Sequence, residues 1–357
     1  MKHENTLLLT ILFKIKRNIF LSLILLVLLI WNSHILNLNK IQIKIYFSKP
    51  VSVIIPIYNK FSYLNLSMNS IQSQTLNKIE IICIDDFSTD KSVEFILNRM
   101  KKDFRIMLIK NLYNQGTCLT RINGVLSATG DYIFSFDPDD LVTPTAIEYN
   151  YKLATNLNAD IIDYRIKAKS PNKIKHNYCP CRHNYTDNKG ILERLKTYTI
   201  NWNLCKKLIR RTIYLKAITL IYPFIEGKRI IAAEDLLHCG AIFFFVKMFI
   251  CSKHLTYIYF LDTPDSSGSG KNQPLEQNFY QLYYIRSIIQ YFLNEKDGIM
   301  NCTPDKLFAQ NKTVWNLYNN ITNITDKTPK TNCNINIDGF YSQNYSEKGY
   351  CAIMNYK

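Results

Sequence analysis

One pattern constrains this chain above all others: between residues 50 and 136, short β-branched runs alternate with amphipathic helical stripes. Val51-Ser52-Val53-Ile54-Ile55, halted by Pro56, suits a strand buried on both faces. Leu64, Met68 and Ile71 follow at i, i+4 and i+7, the spacing of one helix face. Ile79 to Ile84 is a second apolar run, closed by Asp85-Asp86. Ser88, Thr89 and Asp90 then offer helix caps ahead of a stripe of Val93, Ile96, Leu97 and Met100. Arg105 to Ile109 and Tyr132 to Phe136 read as further strands, with Leu119, Ile122 and Leu126 marking a helix between them. This alternation predicts an α/β fold with a mostly parallel central sheet and flanking helices. With 47% of 357 residues hydrophobic, the chain can bury a sizeable core, and the composition of a disordered tail is excluded.

The polar residues fall where such a sheet binds ligands. Tyr58 follows the first strand, Asp85 and Asp86 the second, and Asp137, Asp139 and Asp140 the fourth. In open α/β sheets the carboxyl ends of the strands face the ligand crevice. Neither G-x-G-x-x-G nor G-x-x-x-x-G-K-[ST] occurs, which argues against dinucleotide and P-loop chemistry. A row of carboxylates repels phosphate unless a divalent cation lies between them. Asp137-Pro138-Asp139-Asp140 offers hard oxygen ligands on a turn stiffened by Pro138, suited to Mn²⁺ or Mg²⁺ with substrate phosphates completing the shell. Paired aspartates also serve merely to solvate a turn. The sheet edge and the second acidic pair favour the metal.

The N-terminus bears on compartment. Ile19 to Trp31 has Ser22 as its only polar residue, and continuing to Leu36 gives a stretch close to a membrane span. Lys14, Lys16 and Arg17 precede it, so the positive-inside rule keeps that flank cytoplasmic. The expected organisation is a cytoplasmic tail (1–18), a transmembrane signal anchor (19–36) and a stem (37–49). A cleaved signal peptide is the rival, although no small-x-small site follows Trp31. Either reading places the remainder in the lumen of the secretory pathway, Golgi or ER, as a type II protein if uncleaved. Seven N-x-S/T sequons agree with that address, and an oxidising lumen would let some of the ten cysteines pair. Cys302, Cys333 and Cys351 are candidates to staple the C-terminal tail. The net charge of +16 is uneven, with 17 basic against 5 acidic residues in 151–230, outside the sharpest motifs. A nucleic-acid partner is therefore not implied.

The segments VSVIIPIYN (51–59), IEIICIDDFSTD (79–90) and NQGTCLTRINGVLSATGDYIFSFDPDDLVTP (114–144) together resemble the family 2 inverting glycosyltransferases of the GT-A fold. The resemblance implies that residues 50–150 form the nucleotide-sugar-binding half and 151–265 the acceptor side of the same catalytic domain. By the same resemblance, Tyr58 would stack on the base and Asp86 would hydrogen-bond it, with Pro56 and Asp85 alongside. Arg121 would lie near the diphosphate, Asp137 would hold ribose or sugar, and Asp139, aided by Asp137, would ligate the metal. The family usually has Asn directly after that arginine, whereas here Ile122 follows and Asn stands at 123.

Ala233-Glu234-Asp235-Leu236-Leu237 resembles the family's glutamate–aspartate block, whose aspartate is the general base. The plainer account is an acidic pair stabilised at a helix N-terminus. Asn203 to Arg211 resembles the segment preceding that block, and a solvated basic helix face explains it equally well. His176, His183 and His238 lack metal-ligand spacing and read as surface or packing residues. Residues 279–293 carry helical periodicity within an otherwise unreadable C-terminal extension (266–357), and Tyr259 to Ser267 resembles a closing loop. The expected activity is transfer of a sugar from a nucleotide-diphosphate donor, a UDP-sugar, to a hydroxyl of a glycan, glycoprotein or glycolipid. A catalytically silent, membrane-tethered domain that binds nucleotide sugars or glycans is the alternative.

Overall fold

The computed structural model describes residues 49–169, 177–178, 183–260, 275–295, 299, 302–310 and 352–354. The tail, the anchor at 19–36, all of the stem but Lys49, His176, residues 261–267, Cys333, Cys351 and all sequons except those at Asn65 and Asn184 lie wholly or partly outside them. Among the described residues, no helix is long and apolar enough to cross a membrane.

The chain begins with β1 (Val51–Ile57), α1 (Phe61–Gln72), β2 (Ile79–Asp85), α2 (Ser92–Met100), β3 (Ile106–Lys110), α3 (Thr117–Ser127) and β4 (Tyr132–Ser135). These four strands stand in the order β3-β2-β1-β4, all parallel. Every residue of β1 and β2 is buried, because helices cover both faces. Successive side chains alternate between the two layers. Val53, Ile55 and Ile57 face α1 and α2, while Ile54, Ile82 and Ile84 face α3. The helical stripes are the packed faces, with Leu64, Met68, Ile71, Ile96, Met100 and Ile122 all buried.

Beyond β4 the sheet departs from the expected mostly parallel form. The chain continues through β5 (Leu141–Val142), α4 (Ala146–Asn156), β6 (Ile161–Lys169), β7 (Asn177–Tyr178), α5 (Lys189–Lys196), a 3₁₀ turn (Leu204–Lys206), β8 (Lys207–Arg210), α6 (Arg211–Ile225), α7 (Glu234–Phe243) and β9 (Phe249–Phe260). Strand β8 is antiparallel to both β4 and β6, β9 is parallel to β6, and β5 is antiparallel to β9. The sheet is therefore mixed. A short run such as Lys207–Arg210 carries no direction in its composition, since direction follows from how the preceding turn enters the sheet.

Helix α8 (Leu275–Asn294) lays Tyr284, Ile285, Ile288, Ile289 and Phe292 against α6 and α7. Helix α9 (Pro304–Gln310) follows, and β10 (Ala352–Met354) pairs antiparallel with β3. Cys302 is a free thiol, so it staples nothing, whereas Cys251 is disulfide-bonded.

Helix α3 lies close on the sheet because Gly124 has no side chain. A Cβ there would sit 2.6 Å from both Ile54 Cγ2 and Ile84 Cδ1. We expect Gly124→Ala to destabilise the protein in urea titration. Overpacking of about 1–3 kcal/mol outweighs the roughly 0.8–1 kcal/mol that alanine gains in a helix.

Candidate active site

Strands β2, β1 and β4 run in one direction, so the loops that leave them emerge together. The chain winds outward from β1 to β3 and then returns to the other side of β1 as β4. That reversal is the topological switch point where such sheets open a crevice. The loops after β1 and β2 are knitted together. Asn59 Oδ1 accepts from Thr89 N (2.8 Å), Ser88 Oγ accepts from Asn59 N (3.0 Å), and Asp90 accepts from Phe61 N (3.0 Å) and Ser92 N (2.9 Å). Asp90 thus serves the starts of both α1 and α2.

The proposed nucleotide residues occupy different depths. Tyr58 is 45% exposed at the end of β1, with its ring open to a stacking partner. Pro56 is buried one position inside that end, opposite Ile84 of β2. It is tolerated there because pairing with β4 stops at Ile54, so its missing N–H breaks no ladder. Asp85 is buried and accepts from Ser88 N, and burial raises its pKa. Asp86 accepts from Asn111 Nδ2 (2.8 Å), Gln115 N (2.7 Å) and Gly116 N (2.9 Å). Its observed task is to anchor the loop that leads into α3.

Arg121 is the centre of the arrangement. It lies on α3, 4% exposed, and its Nη2 donates to Asp137 Oδ1 at 2.7 Å. Burial opposes its charge, but Asp137, Asp235 and Glu234 together raise its pKa well above the ordinary value. Nε and Nη1 are buried with no partner. Asp137-Pro138-Asp139-Asp140 forms a turn closed by Asp140 N donating to the Asp137 carbonyl (3.1 Å). Asp139 receives Lys60 Nζ at 2.7 Å. Asp140 is buried and accepts from Phe260 N, fixing the end of β9, and burial beside Asp137 and Asp139 keeps its pKa well raised.

Opposite stands the start of α7. Glu234 and Asp235 occupy its first turn, behind Ala233 in a left-handed conformation (φ 59°). A non-glycine residue there stores strain and needs a supporting frame. Gln281 of α8 supplies one: its Oε1 accepts from Ile231 N (3.0 Å) and Ala232 N (2.8 Å), and its Nε2 donates to Arg229 O (3.2 Å). From the other side, Cys118 N donates to Ile230 O, and Gly116 (φ 83°) packs so closely that a Cβ would stand 2.8 Å from Ile231.

Burial and the neighbouring Asp235 push the Glu234 pKa up to about 8, so near neutrality it holds a proton. Asp235 is also raised by burial, with Arg121 acting in the opposite sense. Its Oδ2 accepts from Leu204 N (3.1 Å), while Oδ1 is buried without a partner. His238 is a packing residue: fully buried, its pKa lowered to about 3 by burial and Arg121, between Tyr214 Oη (3.1 Å) and Cys118 Sγ (3.5 Å). His183 is exposed.

The Asn203–Arg211 segment is not a solvated helix face. It forms the 3₁₀ turn and β8, with Lys206 and Lys207 buried. Lys60 and Gln281 carry no sequence signal as site residues, and Lys207 is signalled only as part of the Asn203–Arg211 segment. A single lysine or glutamine has no pattern, and Gln281 lies in a segment without motifs.

Among the described residues, no group of three or more His, Cys, Asp or Glu could cage a metal. Asp137 and Asp139 are nevertheless hard oxygen donors, each with one carboxylate oxygen bound to a cationic side chain. One or two carboxylates are what Mg²⁺ needs when phosphates supply the rest of its shell, so this donor set fits such an ion.

A parallel half-sheet with its crevice at the switch point, joined to antiparallel strands, defines an α/β fold of the GT-A type. Residues 52–221 match the model of glycosyl transferase family 2. An uncharacterized glycosyltransferase of Haemophilus influenzae is 39% identical over 127 residues, covering 35% of this chain and 51% of that protein. The poly(ribitol-phosphate) beta-glucosyltransferase of Bacillus spizizenii is 33% identical over 122 residues, 33% of this chain and 19% of the relative. The chain thus spans about half the length of the first of these relatives and less of the second. S. aureus TarS 1-349, solved in complex with UDP-GlcNAc, superposes with a TM-score of 0.54 at 17% identity, covering 74% of each chain. That likeness establishes the fold.

Replacing Gln281 with leucine removes the acceptor for two backbone N–H groups in front of α7. We expect a loss of about 1–3 kcal/mol, measurable by chemical denaturation.

Proposed function

We propose that this protein is an inverting, metal-assisted glycosyltransferase that moves a sugar from a UDP-sugar to an acceptor hydroxyl. One observation carries the reading: Arg121 lies in the field of both the Asp137 carboxylate and the Glu234–Asp235 pair, and keeps two donor nitrogens unpartnered. A buried guanidinium with unused donors is suited to a diphosphate, whose charge grows as the sugar leaves. The matched family, and a structural neighbour solved with UDP-GlcNAc, support a nucleotide-sugar donor.

The chain's own residues divide the work. Tyr58 offers an exposed ring to the base. Arg121 and Lys60 place positive charge beside the departing phosphates. Asp235 takes the acceptor proton through its unpartnered Oδ1 as the acceptor oxygen attacks the anomeric carbon from the face opposite the leaving group, inverting it. Glu234, protonated near neutrality, adds no second charge to repel the incoming hydroxyl. A divalent cation, held by Asp139 and Asp137, would supply Lewis-acid stabilisation of the diphosphate. The acceptor class stays a glycan, glycoprotein or glycolipid, and the alternative of a silent binding domain would show as tight UDP binding without turnover.

Three outcomes test this. In a screen of UDP-sugars with Mn²⁺, Asp235→Asn should lower turnover about 10²–10⁴-fold while calorimetry finds UDP binding intact. Asp139→Asn should weaken UDP binding in the presence of Mn²⁺ and leave metal-free binding little changed. For the pH profile, Asp235 must be ionised to act and its pKa is raised. Activity should therefore fail on acidification at a pH above the ordinary carboxylate range. A profile flat down to pH 4 would remove Asp235 from the base role.

A further inference from the structure

The peptide bond between Asn203 and Leu204 is gripped at both ends. Its carbonyl accepts from Lys207 Nζ at 2.9 Å, and its N–H donates to Asp235 Oδ2 at 3.1 Å. Lys207 is fully buried on β8, opposite Asp163 of β6, with Nζ 3.8 Å from Asp163 Oδ1 and 6.0 Å from the Phe243 ring centre. A buried ammonium must be both paired and hydrogen-bonded. Asp163 provides the charge, and the Asn203 carbonyl provides the closest hydrogen bond.

We propose that Lys207 is a positioning residue for Asp235, acting through the Asn203–Leu204 peptide, which fixes Oδ2 and leaves Oδ1 to the acceptor. The proposal rests on Asp235 being the base. A cation on a peptide carbonyl polarises the amide and strengthens its N–H as a donor. A direct Lys207–Asp235 ion pair would stabilise the carboxylate more and make it a poorer base. An intervening peptide instead orients the carboxylate and weakens its basicity less. The relay joins β8, the 3₁₀ turn and the start of α7, so the backbone presets its geometry.

Asp235 is faced by Glu234 on its own helix, Arg121 from α3, Asp137 beyond β4, Cys205 in the turn and Lys207 from β8. Cys118, Cys239 and Tyr214 also lie in its field, and burial keeps them uncharged by raising their pKa values.

The test is a ¹³C NMR titration of carboxyl-labelled aspartate in the full-length protein, with the Asp235 signal identified by its loss in Asp235→Asn. Lys207→Met should move the Asp235 midpoint upward by roughly one pH unit, and Lys207→Arg, which keeps the charge, should return it toward wild type. Leu204→Pro deletes the N–H of the relay while keeping Lys207 and its charge, at the cost of trimming a buried apolar side chain. Proline is compatible with the first position of a helical turn, and Asn203 already has the extended conformation (φ −63°, ψ 118°) favoured before proline. It too should raise the midpoint, and both variants should slow UDP-GlcNAc hydrolysis roughly tenfold to a hundredfold, with UDP binding near wild type and a lowered melting temperature, since one loses a buried ion partner and the other buried apolar surface. An unchanged midpoint in folded Lys207→Met or Leu204→Pro overturns the relay, and if Lys207→Met does not fold, Leu204→Pro decides alone. Undiminished activity in Asp235→Asn would instead defeat the base assignment, while the titration still reads the relay.

Discussion

A guanidinium buried among three carboxylates holds this cleft in its shape. Arg121 reaches Asp137 at the end of β4 and lies in the field of Glu234 and Asp235 at the start of α7. Without a cation between them, these acids would repel across a low-dielectric gap or take up protons. With it, Asp137 is tied down and Asp235 stays ionisable, while burial and the neighbouring Asp235 still drive Glu234 to hold its proton. Desolvating four ionisable groups is costly, and such clusters are poor stabilisers. Their concentration at a strand-end crevice, with guanidinium nitrogens and a carboxylate oxygen left unpartnered, is what a site prepared for a charged ligand requires.

Rigid elements carry that cluster, and hydrogen bonds between loops complete it. Asp86 holds the entrance to α3, Gln281 holds the approach to α7, and the Asn203–Leu204 peptide holds Asp235 itself. Each of these is a polar side chain or peptide meeting backbone groups that secondary structure leaves unpaired. Helix α8 is in this sense part of the site, because its buried apolar face seats Gln281 where the strained Ala233 needs support.

The legible parts of the molecule were those with periodicity. Three of the four strands of the first half stand where apolar runs meet Asp or Pro, β3 running instead into Lys110, and the i, i+4, i+7 stripes are the buried helix faces. The acids were legible as a group because they sit directly after those strands. The second half was harder to read. Its strands are short or pair across long separations, and the mixed sheet follows from turns whose entry angle no composition records. The basic run at 206–211 shows the limit most clearly: read for charge alone, Lys206 and Lys207 belong in water, yet Asp163 across β6 and β8 takes both inside.

Local pattern by itself determined the alternation of strand and helix, the edge where ligands meet the sheet, and the carboxylates that line it, since each of these depends on neighbours within a few residues. Tertiary structure alone decided which carboxylate would hold a proton, which lysine would be buried, and that Arg121 would bring Asp137 and Asp235 into one electrostatic unit across ninety-eight positions of chain. Desolvation and Coulomb coupling depend on distance in space, and only the packed fold sets that distance.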